Sequence, residues 1–231
     1  MGLKILKISI ELDSLLSISD TEKIRGYLGH LFWDNPYAHQ HRPDGSFIYQ
    51  YPRVQYKIIN SNCILIGFNE GLEIVKQIFH NLKFINIDGK WEDILSKGLE
   101  GYTASLSVTS DHLSYSFLTP WLALNEKNYE KYQKLGTWAE RKELLESILI
   151  GNIISMSKSL GYTVPEPIRA EIKSIKEVPT SLKSTPMLGF LGTFSVNFEI
   201  PDYWGIGKSV SRGFGTVKRQ TTDDRRTGKQ K

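Results

Sequence analysis

The sequence predicts an α+β protein made of two ferredoxin-like (RRM-like) domains in tandem, with antiparallel sheets and helices on one face. Three observations carry this. The first half alternates period-two and period-3.6 hydrophobic segments in the order β-α-β-β-α-β, which is the ferredoxin-like order. The second half places further strands around one long helical segment. A length of 231 residues with 40% hydrophobic composition is enough for two small domains, each with its own core.

Residues 3–12 read as a first strand. Ser19 or Asp20 can cap a helix running to about Phe32, with Ile24, Leu28 and Leu31 on one face. A loop holding Asn35-Pro36, Pro43 and Asp44-Gly45 follows. Phe47–Tyr51 and Val54–Ile59, a turn at Asn60-Ser61-Asn62, and Ile64–Phe68 then read as a hairpin. Glu70 to about Leu82 is amphipathic, with Leu72, Val75, Phe79 and Leu82 at helical spacing. A strand near 84–88 or 102–108 closes the unit, and a linker is expected near Ser96–Gly101. This places an N-terminal domain at 1–98, a C-terminal domain at 99–219 and a basic, disordered tail at 220–231.

In the second half, strands are expected at 102–109 and 113–118 around a turn at Ser110-Asp111. Trp121, Leu122 and Leu124 read as buried structure. A helix from about Trp138 to Leu160 carries Leu145, Ile148, Met156 and Leu160 and ends at Gly161. Strands near 168–178 and 187–199 precede a glycine-rich stretch, and no residue-level repeat links the halves.

Composition excludes several classes. Cys63 is the only cysteine, which rules out an internal disulfide framework and fits a reducing cytoplasm. No apolar run is long enough to span a membrane, and the start lacks the apolar region of a signal peptide. The net charge is +4. Lys218, Arg219, Arg225, Arg226, Lys229 and Lys231 against Asp223 and Asp224 supply all of that excess. The body is therefore neutral, and a nucleic-acid surface on it has to be a local patch.

Gly205-Ile206-Gly207-Lys208-Ser209-Val210-Ser211-Arg212-Gly213-Phe214-Gly215 is the most specific motif. Glycines permit positive φ and close approach. Successive N–H groups beside Lys and Arg suit phosphate oxygens. It is not a P-loop, because Asp202 stands where that motif needs glycine. A dinucleotide fingerprint opens a helix early in a βαβ unit, which this does not. A tight hairpin loop is the plainer alternative.

The chain resembles the RAMP superfamily of CRISPR-associated RNA-binding proteins and, within it, the CRISPR repeat-processing endoribonucleases. The resemblance rests on Tyr51–Lys57, Ile66–Gly71, Phe117–Asn125, Gly151–Met156 and Gly207–Gly215. It implies metal-independent cleavage of a CRISPR precursor RNA within each repeat, with no cofactor. The 2′-OH attacks the adjacent phosphate, leaving a 2′,3′-cyclic phosphate and a 5′-OH. It also implies a catalytic histidine after the first helix. A non-catalytic guide-RNA-binding subunit of an effector complex is the alternative. CRISPR repeat RNA is the implied partner, with effector-complex subunits and a second copy of the chain left open.

Such chemistry needs a base, an acid and positive charge near the phosphorane. His39 and His41 lie in the loop after the first helix, where the resemblance expects a catalytic histidine. Histidine suits either proton role. Tyr49 or Tyr51 could orient the 2′-OH or donate a proton, or simply pack. Lys208 and Arg212 are the candidate phosphate contacts, with Ser209 and Ser211 as hydrogen-bond donors and Gly207, Gly213 and Gly215 shaping the loop. Arg53 and Lys57 share one face of a strand and are further candidates for RNA contact. Phe214 either stacks on a base or anchors the loop. His30 and His80 end helices, where a cation complements the dipole. No third ligand accompanies His39 and His41, so no metal site is expected, and Cys63 reads as a core residue.

Overall fold

The computed structural model describes residues 1–33, 35–39 and 50–221, with His39 described in its backbone only. The chain forms two compact units. One comprises Gly2–Ala104 together with Ser209–Phe214, and the other Met1, Ser105–Lys208 and the chain from Gly215 onward.

The first unit contains β1 (Gly2–Leu12), α1 (Asp20–Leu31), α2 (Pro36–His39), β2 (Val54–Ile59), β3 (Asn62–Phe68), α3 (Gly71–Asn81), β4 (Phe84–Ile87) and β5 (Lys90–Ser105). Its sheet has the order β2-β3-β1-β5-β4. The β2–β3 hairpin turns on Asn60 and Ser61, both with positive φ (51° and 61°), which matches the twist of the flanking strands. Ile8, Ile10, Val54, Tyr56, Ile58 and Leu65 meet Ile24 and Leu28 of α1 and Ile74, Val75 and Ile78 of α3 in one core. Of the two alternatives for the closing strand, 84–88 forms as β4, while 102–108 spans the end of β5 and the first residues of the next strand, Ser107–Phe117. β5 takes the place beside β1, and β4 is a short hairpin partner on its outer edge.

Three expectations are corrected here. Leu31 is not on the buried face of α1 but is exposed, while Ile24 and Leu28 are fully buried. The buried stripe of α3 is Gly71, Ile74, Val75 and Ile78, with Leu72 and Phe79 only half-buried. The cause lies in two glycines. A Cβ on Gly71 would lie 2.1 Å from the Arg53 carbonyl oxygen, and one on Gly67 would lie 2.4 Å from the Gly71 oxygen. The start of α3 therefore rests directly on the hairpin, which turns Gly71 and its neighbours inward. Finally, residues 96–101 are not a linker: they lie inside β5, and the units divide between Ala104 and Ser105, six residues past the expected boundary.

The second unit contains β6 (Ser107–Phe117), α4 (Glu126–Lys134), α5 (Trp138–Ser159), β7 (Ala170–Leu182), β8 (Thr185–Glu199) and β9 (Val217–Arg219), with sheet order β7-β8-β6-β9. This is again the ferredoxin-like order, but the glycine-rich stretch replaces the second helix between β8 and β9. The expected turn at Ser110-Asp111 does not form. β6 runs through it, and the β6–β8 register shifts between Val108 and Leu113. A bulge absorbs the polar residues that looked like a turn. α5 begins on a capping box, Thr137 with Glu140, and buries Leu145, Leu149, Ile153 and Met156. Ile148 is only half-buried. Trp121, Leu122 and Leu124 are buried, as expected.

Candidate functional site

The loop that carries the histidines is fixed at its entry. The Asn35 carbonyl accepts from Ala38 N at 3.0 Å, and the Asn35 side chain accepts from Tyr37 N at 3.1 Å, which closes the short α2. Ala38 is buried, and its carbonyl accepts the Tyr56 hydroxyl at 3.1 Å. Tyr56 sits on β2 with its ring in the core, and burial pushes its hydroxyl pKa up. The backbone is thus anchored one residue before His39. At the other end Tyr51 stacks on Phe68, with ring centroids 5.9 Å apart. His41, Tyr49 and the His39 side chain lie outside the described residues.

Ser209–Phe214 pack with the N-terminal unit, against β2 and the first turn of α1. Gly213 has φ +85°, and a Cβ there would meet Thr21 Cγ2 and the Tyr56 carbonyl oxygen at 3.1 Å each. Arg212 Nε lies 2.8 Å from Glu22 Oε1, an ion pair not aligned as a hydrogen bond. Phe214 is buried and so anchors the segment, while Ser211 is buried and Ser209 half-buried. The other part of the motif belongs to the C-terminal unit. Gly207 has φ +92° and would place a Cβ 2.6 Å from Trp121 Nε1. Lys208 is exposed.

The expected cradle of bare N–H groups needs correcting. Ile206 N donates to Gly215 O, Lys208 N to Leu122 O, Arg212 N to Ser209 O, Gly213 N to Val210 O and Gly215 N to Pro120 O. These donors are spent on the protein itself. The glycines at 207, 213 and 215 serve close packing, and Lys208 and Arg212 are the two cations that the segment carries.

Arg53 and Lys57 are also not the exposed strand cations their spacing suggested. Arg53 is buried, paired with Glu70 at 3.0 Å and set 5.9 Å from the Phe68 ring centre. Lys57 is fully buried and donates to Gln55 Oε1 at 2.9 Å. β2 is buried on both faces, so its alternation of polar and apolar residues does not mark a wet side. Burial lowers the Lys57 pKa to about 7. Between this value and the ordinary lysine value, the unfolded chain holds a proton that the folded chain has lost. Stability should therefore rise with pH from about 7 to about 8.5, above which Cys63, raised to about 12 by burial, works in the opposite sense. Urea unfolding across that window should show the rise in the parent protein and a flatter profile in Lys57→Met.

Tyr56, which holds Ala38, and Glu22, which pairs with Arg212, are not among the residues that the sequence singles out. Tyr56 looked like one apolar residue among several, and no local pattern links Glu22 to Arg212 across the chain. Cys63 is buried with its thiol pKa raised, which fits a core residue. His30 and His80 are exposed at helix ends. Among the described residues no cluster of three or more His, Cys, Asp or Glu could hold a metal ion, and no helix is long and apolar enough to cross a membrane.

A family model of the Cas6b N-terminal domain matches residues 1–104, and one of the Cas6b C-terminal domain matches residues 107–220. The chain belongs to the Cas6b family. The two Cas6b domain models meet where the compact units divide. A solved structure described as Cas6b is 42% identical, covers 95% of this chain and 100% of its own, and superposes with a TM-score of 0.88. Another, described as the CRISPR RNA processing endoribonuclease Cas6b, is 37% identical over 95% of this chain and 100% of its own, with a TM-score of 0.77. An uncharacterised protein of Methanocaldococcus jannaschii is 41% identical over 143 residues, 62% of this chain and 97% of that protein. Membership of the Cas6b family bears out the resemblance stated from the sequence and, with it, the tandem ferredoxin-like fold.

Proposed function

We propose that this Cas6b-family endoribonuclease cleaves CRISPR precursor RNA within its repeats to release guide RNAs, without a metal ion. The ribose 2′-OH attacks the adjacent phosphate, giving a 2′,3′-cyclic phosphate and a 5′-OH. The observation that carries the reading is the match of both domains to Cas6b, including 37% identity to a CRISPR RNA processing endoribonuclease over nearly the whole chain. The anchored entry to the histidine loop supports it, because a reacting group has to be held within a fraction of an ångström of its target.

In this reading His41 and His39 supply the proton transfers, with Tyr49 as an alternative donor. Neutral imidazole removes the 2′-OH proton, and an acid protonates the departing 5′-oxygen. Lys208 and Arg212 contact phosphates, and Ser209 adds a hydrogen bond. Ser211, Gly213 and Gly215 act by shaping the segment rather than by touching RNA, since each is buried.

The test is cleavage of a repeat RNA in excess EDTA, followed by end analysis. The expected products carry a 5′-OH that accepts a labelled phosphate directly, and a cyclic 3′ end that acid opens. A requirement for a divalent ion, or products with 5′-phosphates, would overturn the mechanism.

A further inference from the structure

Helix α2 is a single turn, and one turn does not hold its place by its own backbone bonds. Contacts from the rest of the N-terminal unit fix it. At its start the Asn35 side chain accepts from Tyr37 N at 3.1 Å, and the Asn35 carbonyl accepts from Ala38 N at 3.0 Å. Tyr37 packs against the core, and Ala38 is buried in it. At its end the last carbonyls of a helix have no partner within the helix. The Ala38 carbonyl is one of these, and a carbonyl in a buried setting needs a donor from elsewhere. The Tyr56 hydroxyl supplies it, in a buried bond of 3.1 Å.

Tyr56 is well placed to hold this point. It stands on β2 opposite Leu65 of β3, in the middle of the hairpin ladder. Its ring lies in the same close-packed core as Ile8, Ile24 and Leu65, which leaves it little freedom to turn. Its own carbonyl meets the glycine-rich segment, where a Cβ on Gly213 would lie 3.1 Å away. The hydroxyl is therefore carried by a fixed ring on a fixed strand. It is buried and cannot touch RNA, and burial pushes its pKa up, so it keeps its proton as a donor. From Ala38 the chain passes directly into His39.

We propose that Tyr56 is a positioning residue for the cleavage reaction: its hydroxyl sets the path of the backbone from Ala38 into the histidine loop. The inference rests on the RNA-cleaving reading above. Tyr56 acts through the main chain and not on the RNA. Its contribution is to the aim of the proton-transfer groups, where a displacement of about 1 Å can cost about 10²-fold in rate.

The experiment uses the full-length protein and a repeat RNA. Tyr56→Phe keeps the ring and removes only the hydroxyl. Single-turnover cleavage at saturating protein should slow about tenfold or more. The Kd for a repeat blocked by a 2′-deoxy substitution at the cut should stay within about twofold of the parent, because the lost interaction bears on the reacting bond and not on binding. The pH–rate profile should keep the parent's midpoints, since the Tyr56 hydroxyl does not titrate in the range of the assay. Tyr115→Phe is the control. Tyr115 is also buried, and its hydroxyl accepts from Ile200 N at 2.9 Å in the C-terminal unit. That variant should lose stability, as a deleted buried hydrogen bond requires, yet cleave at the parent's rate. A merely structural role for Tyr56 would make the two variants alike, each with a lower melting temperature and an unchanged rate constant.

A parent-like rate constant in Tyr56→Phe would overturn the inference. So would a loss of affinity as large as the loss of rate, a shifted pH profile, or equal slowing in Tyr115→Phe. Thermal unfolding shows whether each variant is folded. If Tyr56→Phe is not, Asn35→Ala loosens the same turn from its start and leaves the Tyr56 ring in the core. It should then slow cleavage with Kd unchanged, and a parent-like rate there would overturn the inference instead. A parent protein that neither binds nor cuts repeat RNA would overturn the functional reading itself, whereas a parent that cuts normally beside a silent Tyr56→Phe would overturn the positioning role alone.

Discussion

His41→Ala is expected to slow repeat-RNA cleavage by about 10²- to 10⁴-fold, the usual worth of a positioned acid or base, with RNA affinity within about twofold of the parent. The two effects separate because the imidazole's proton transfer is needed only at the reacting bond, while RNA affinity comes mainly from cations that meet the phosphates. The Tyr56 hydroxyl holds the chain at Ala38, so losing an imidazole two residues beyond His39 should leave the loop entry in place. Single-turnover cleavage and a filter-binding titration on the same preparation measure both quantities. His39→Ala provides the comparison. If it abolishes cleavage while His41→Ala cuts normally, the proton-transfer role passes to His39.

Gly215→Ala is expected to cost about 3 kcal/mol or more, because it joins two penalties of the kind that produce large effects, backbone strain and overpacking. Gly215 has φ +62°, and a Cβ there would lie 2.0 Å from the Ile206 carbonyl oxygen and 3.2 Å from the Ile206 nitrogen. The neighbour is backbone, so it cannot swing away. The same residue accepts from Ile206 N and donates to Pro120 O, both at 2.9 Å, and relief of the clash would break these bonds. Gly161→Ala separates the two penalties. Gly161 has φ +78° with open space around its Cβ position, so its cost should be that of conformation alone, about 1 kcal/mol. Thermal unfolding should show a drop of about 10 °C for Gly215→Ala and about 3 °C for Gly161→Ala. Equal drops would mean that the clash is relieved without cost.

The parts of the fold legible in the sequence were those set by local pattern. The Asn60-Ser61 turn, the α3 segment and the start of α5 near Trp138 show in the residues themselves, since turn chemistry and helical spacing are short-range signals. What was not legible depended on distant partners. The polar residues Ser110 and Asp111 suggested a turn, but β8 pairs with β6 on both sides of them, at Ser107–Val108 and Leu113–Ser116, and leaves them in a bulge. Lys57 looked like a solvated strand cation, because nothing near it in sequence reveals that β2 is buried on both sides. The glycine-rich motif is visible in the residues at once, but the use of its backbone is not. Its spacing suggested free N–H groups for phosphate, whereas the fold uses those of Ile206, Lys208, Arg212, Gly213 and Gly215 to seat the segment and delivers Arg212 to Glu22. Tyr56, whose hydroxyl holds the Ala38 carbonyl, shows itself only once β2 and α2 are brought together.

The most direct test of the account is one substitution in the RNA. A repeat carrying a single 2′-deoxy nucleotide immediately 5′ of the cut should bind the protein as the unmodified repeat does and remain intact, because the nucleophile is missing. Cleavage of that RNA at the same bond would show that water or another group attacks the phosphate, and the 2′-OH mechanism would fall.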